Sequence, residues 1–113
     1  MDWRSDRDYL DGCALFDAGD YWDAHERWER CWLAAAGERE RHFLQGLVQC
    51  AAAAHNLARG KTRGARTVLG RALGHLAAAG DGPFMGVDPV ALSAAMSAHV
   101  EHGAAAPRLD VHP

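Results

Sequence analysis

HFLQGLVQCAAAAHNLA, residues 42–58, contains no Asp, Glu, Lys or Arg, and this stretch decides the architecture. Its Ala, Leu and Gln content favours a helix, and a helix without a charged face has no side built for open solvent. The spacing predicts a helix from about Glu38 to Arg59 at the centre of an all-α bundle, covered nearly all round. A membrane span is the rival account of a long uncharged run. Seventeen residues that include two Gln, two His and an Asn are too short and too polar for one. At about 100° per residue, Arg41, Gln45, Gln49, Ala52 and Asn56 share one side of this helix. Phe43, Leu47, Cys50 and Ala54 share the opposite side.

Upstream lies a second helix, YWDAHERWERCW at residues 21–32. Tyr21, His25, Trp28, Glu29 and Trp32 form one stripe along it, beside Ala24, Cys31 and Ala35, while Asp23, Arg27 and Arg30 point away. Asp20 and Asp23 suit its N-terminus in the manner of a capping box, and Gly37 suits its end near Ala36. A helix over Asp6 to Ala18 precedes it, with Tyr9, Leu10, Cys13, Leu15 and Phe16 on its apolar side and Gly19 as its stop.

Downstream of Gly60, Ala65, Val68, Leu69, Ala72, Leu73 and Leu76 mark a fourth helix from about Arg63 to Ala79. Gly64, Gly70 and Gly74 inside it point to close helix contacts, since each weakens a helix by about 1 kcal/mol relative to Ala. DGPFMG breaks the pattern. Asp88 and Pro89 then start a short fifth helix to about His102. The chain therefore reads as an up-and-down antiparallel bundle of four to five helices over residues 1–103, with a frayed tail at 104–113.

An internal echo supports this. GDYWDAHERWERCW from Gly19 recurs in pattern as GKTRGARTVLGRAL from Gly60, 41 residues on, so two helical-hairpin-like units are built alike. The Gly-x-x-x-x-Ala joint also resembles that of a tetratricopeptide repeat, whose period of about 34 is shorter. A protein-interaction module, or self-association as a homodimer, is one reading of such hairpins.

Length and composition set bounds. The 113 residues carry a formal net charge of −3, with 49% hydrophobic and 24% charged residues, as expected of one soluble domain. The acidic start MDWRSDRDYLDG is no signal peptide. Cys13, Cys31 and Cys50 sit singly at apolar helical positions, as reduced thiols in a cytoplasmic protein. Arg59, Lys61, Arg63, Arg66 and Arg71 form a basic run, which reads as a solvated helix face; no nucleic-acid motif accompanies it.

The chemistry centres on His25 and Glu29. His25-Glu26-x-x-Glu29 has Glu where the HExxH zinc motif needs its second His, so it is not that motif. The di-iron signature requires Glu three residues before the His, where this chain has Trp22. An imidazole and a carboxylate at i, i+4 still offer two ligands to a divalent metal, with His55 as a third. A metal-dependent, hydrolase-like site at His25, Glu29 and His55 is therefore one reading. A second is a site for a small ligand in a polar cluster of His25, Glu26, Trp28, Glu29, Trp32, Arg41, Gln45, Gln49 and His55. A third is a satisfied polar network of His25, Glu29, Trp32, Arg41 and Gln49 that pins the helix pair. No nucleophile or glycine-rich phosphate loop accompanies these residues, so an enzymatic role is neither required nor excluded.

AHERWERCW, Arg41 and QGLVQCAAAAHNLARGKTRGARTVL resemble the hallmark blocks of domain-of-unknown-function family 309 (DUF309), small helical bacterial proteins. The likeness covers roughly Phe16 to Leu76. It implies an all-helical up-and-down bundle and places His25, Glu26, Trp28, Glu29, Trp32, Arg41, Gln45, Gly46, Gln49, His55, Gly60, Gly64 and Ala65 at the family's signature positions. Where the family often has Asn after the glycine, this chain has Lys61. The family carries no assigned reaction, so the resemblance implies a fold and a set of positions and no substrate.

Overall fold

A computed structural model describes residues 2–113. After a 3-10 turn at Trp3–Ser5, five helices follow: α1 (Arg7–Asp17), α2 (Tyr21–Ala34), α3 (Glu38–Ala58), α4 (Thr62–Ala78) and α5 (Pro89–His102). Side-chain contacts pair early or middle positions of each of the first three helices with middle or late positions of the next. Trp28 Nε1 donates to Tyr9 O, Trp22 meets His55, and the Leu76 side chain meets Gly46. These helices therefore run up and down. α3 is central, packed against α2, α4 and α5. Nine of its residues are buried and none from His42 to Leu57 is exposed, as the charge-free run predicts.

The two echoed joints are the same structure. Gly19 and Gly60 both take positive φ, +84° and +76°. The amide after each bonds back five residues, Asp20 N to Leu15 O and Lys61 N to Asn56 O, which is the Schellman closure that favours glycine. Asp88 caps α5 by accepting from Val90 N and Ala91 N. Asp20 departs from expectation: its side chain makes no capping hydrogen bond. α2 also ends earlier than expected, because Ala35 turns to extended backbone and is buried. Gly37 is then the N-cap of α3 rather than the stop of α2.

The helix glycines reverse their expected roles. A Cβ on Gly70 or Gly74 would meet nothing within 4 Å, and one on Gly64 would make only ordinary contact with Asn56 at 3.4 Å. Close contact falls instead on Gly12, where a Cβ would lie 2.5 Å from the Trp28 ring, and on Gly46, where it would lie 2.7 Å from Leu76. These two let α2 approach α1 and α4 approach α3.

The segment between α4 and α5 is strapped down. Arg39 donates to the carbonyls of Ala79 and Asp81 and stacks on Phe84, while Tyr9 Oη donates to Met85 O at 2.6 Å. The tail 104–113, expected to fray, has no helix or strand yet is tied back. The Asp17 carboxylate accepts from Leu109 N (2.6 Å) and Asp110 N (2.9 Å), and Leu109 and Val111 pack on the core. A carboxylate that accepts two backbone amides holds a segment that has no periodic pattern of its own.

The three cysteines are free and buried, and burial pushes each thiol up to about 12. At pH 8 only about one thiol in ten thousand is then ionised, and the thiolate is the reactive form. Native protein is expected to resist iodoacetamide at pH 8, whereas protein in urea takes up three labels, a difference read by intact mass.

Candidate functional site

The aromatic and small stripe of α2 resolves into two. Ala24, Trp28, Cys31 and Ala35 are buried, with Trp28 fully enclosed against Gly12 and Phe16. Trp28 is therefore core, because it shares the inward side of the wheel with Ala24 and Cys31. Roughly 110° round that wheel, Trp22, His25, Glu29 and Trp32 border the seam with α3. Glu26 is exposed and takes no part.

Two aromatic contacts fix the ends of this seam. At one end the Arg41 guanidinium lies 5.7 Å from the Trp32 ring. At the other, Trp22 stacks on His25 (4.9 Å, 8° between planes) and meets His55 at 5.4 Å. His25 and Glu29 lie between on α2, and Gln45 and Gln49 lie between on α3. His25, Glu29, Trp32, Gln45, Gln49 and His55 are all half-buried, and no polar residue of the described chain is fully buried.

The expected polar network is not formed. No side-chain hydrogen bond joins any two of His25, Glu29, Trp32, Arg41, Gln45, Gln49 and His55 among the described residues. His25 Nδ1 lies 3.7 Å from Glu29 Oε2, beyond ordinary bonding distance. The Arg41 guanidinium donates only to Ala35 O, at 3.3 Å, and pairs with no carboxylate among the described residues. Just two buried side-chain polar atoms of the described chain lack a partner, His25 Nδ1 and Gln45 Oε1, and both belong to this seam.

The metal set His25, Glu29 and His55 is likewise not assembled. His55 reaches the group through the Trp22 ring, and among the described residues no three His, Cys, Asp or Glu side chains converge on a point that suits an ion.

At the Trp32 end the seam opens into a groove of about 410 Å³, lined by Trp32, Ala36, Glu38, Arg41, His42, Gln45 and His75. His42 and His75 face each other across α3 and α4, Nδ1 to Nδ1 at 3.3 Å. Burial, with the neighbouring His42, lowers the pKa of His75. A separate cleft of about 370 Å³ between α1 and the tail holds none of the signature residues. The basic run is exposed, with Arg59 and Lys61 at the α3–α4 joint and Arg63, Arg66 and Arg71 on α4, and Arg66 pairs with Glu101 at 3.3 Å.

Sequence reasoning missed Trp22, His42 and His75. Trp22 carries a signal, since it stands three residues before His25 on the same flank. His42 opens the charge-free run, but its partner on α4 depends on interhelical register, which periodicity does not contain.

No helix among the described residues is long and apolar enough to cross a membrane. A comparison with curated proteins finds no match. The model of the family described as a domain of unknown function (DUF309) matches residues 9–68, more than half of the chain. The match takes in α1, α2, α3 and the start of α4, and with them the whole seam; His75, α5 and the tail lie beyond it. The matched segment, more than half of the chain, places this chain in the DUF309 family.

Proposed function

We propose that the α2–α3 seam is a binding site for a small anionic molecule, and that it enters at the groove beside Trp32. The observation that carries this is the pair of orphaned atoms: His25 Nδ1 and Gln45 Oε1 are buried without partners. Such atoms cost about 1–3 kcal/mol each in desolvation, a cost that a purely structural network would have removed. A ligand that donates to Gln45 Oε1 removes part of it on binding. Arg41 supplies the charge preference, since its guanidinium has no carboxylate partner and lies against Trp32, leaving donors for a carboxylate or phosphate. Trp32, which lines the groove, offers flat apolar surface for a ring.

The test is a panel of small carboxylates and phosphates screened by unfolding temperature and followed by calorimetry. One class is expected to raise the midpoint on the order of 10 °C at a hundredfold excess over Kd. Arg41→Ala is expected to weaken binding about 10- to 100-fold, the worth of a charged hydrogen bond. A panel without any shift, or shifts indifferent to Arg41→Ala, would refute the reading.

A further inference from the structure

The bundle brings two imidazoles to one point at its end, and neither is used by the anion site as argued above. His42 stands in the second turn of α3 and His75 in the last turn of α4. Their rings lie 5.6 Å apart at 33°, and their Nδ1 atoms face each other at 3.3 Å. At 3.3 Å the pair can share one hydrogen bond when one ring carries its proton on Nδ1. It has the right span for something else. Two nitrogens each about 2.0–2.1 Å from a tetrahedral ion stand about 3.3–3.4 Å apart, the edge of the coordination tetrahedron.

Glu38, one turn before His42, is exposed and places Oε1 4.0 Å from His42 Nε2, too far for a hydrogen bond, so it adds negative charge beside the pair without fixing a tautomer. The face of the pair opens on the groove, so water has access to further coordination positions.

We infer that His42 and His75 bind one divalent transition ion through their Nδ1 atoms, of the kind imidazole prefers, with zinc the first candidate. Two protein nitrogens with the remaining positions open to water make this an exchangeable site rather than a structural one. The inference stands on these two rings and their spacing. It does not depend on the groove's taking an anion, and Arg41→Ala leaves it intact.

The experiment titrates tag-free full-length protein with Zn(II) against a chromogenic chelator, with long-range ¹H–¹⁵N spectra of the imidazoles recorded alongside. One equivalent is expected to bind. Affinity is expected to fall at least tenfold in His42→Ala and in His75→Ala and to stay unchanged in His25→Ala and His55→Ala. In the wild-type spectra the Nδ1 resonances of His42 and His75 move on adding Zn(II), a readout that stands even where an alanine variant unfolds. The inference is overturned if no zinc binds, if binding survives in His75→Ala, if it vanishes in His55→Ala, or if other rings move instead.

Discussion

Trp28→Ala is expected to remove about 3–5 kcal/mol of stability, the usual cost of emptying a buried aromatic site. Trp28 is fully buried, rests against Gly12, stacks near Phe16 at 5.6 Å and donates Nε1 to Tyr9 O at 3.3 Å. Its removal empties the α1–α2 interface and also removes one interhelical hydrogen bond. A domain of this length has on the order of 6–17 kcal/mol in total, so the variant keeps its fold with a much reduced margin. In urea the midpoint should fall by about 2 M at a typical slope of about 2 kcal/mol per M. Trp28→Phe, which keeps most of the volume, should lose less than half as much. An alanine variant within 1 kcal/mol of wild type would show that Trp28 is not core and would return it to the candidate site residues.

Four glycine-to-alanine substitutions are expected to split by sign. At Gly12 the new methyl would stand 2.5 Å from the Trp28 ring, and at Gly46 it would stand 2.7 Å from Leu76 Cδ2 and 3.3 Å from the Leu76 backbone nitrogen. Overpacking costs about 1–3 kcal/mol, and the rigid, enclosed indole puts Gly12 at the upper end. The gain in helix propensity, up to about 1 kcal/mol, offsets only part of this. At Gly70 and Gly74 the methyl meets nothing, so only the propensity gain remains. Each should stabilise by about 0.5–1 kcal/mol. Thermal melts of the four variants check the ordering; a destabilised Gly70→Ala or a neutral Gly12→Ala contradicts the packing described.

What could be read from the sequence, and what could not, follows from what periodicity encodes. A helix with no charged face must be central, so α3 was legible. The echo around Gly19 and Gly60 was legible because a left-handed residue at a helix stop selects glycine. Seam residues were legible as a polar group on two facing helices. Periodicity gives the side of a helix but not the neighbour that covers it. Hence one wide stripe on α2 hid two faces, and Trp28 was grouped with His25 although it serves the core. The helix glycines failed for the same reason, since whether a glycine faces a partner depends on crossing geometry. His42 and His75 are 33 residues apart and share no pattern, and the Asp17 clamp on the tail joins positions 92 and 93 residues apart.

The seam is central to the account, and the stability of Gln45→Met in the absence of any ligand tests it most directly. Met fills similar volume without a carbonyl oxygen to desolvate. An orphaned acceptor held for a ligand predicts that its removal leaves stability unchanged or raises it by up to about 1–3 kcal/mol. A loss of more than about 1 kcal/mol in urea unfolding would mean that Gln45 is a satisfied member of a structural network, and the seam would then be architecture rather than a binding site.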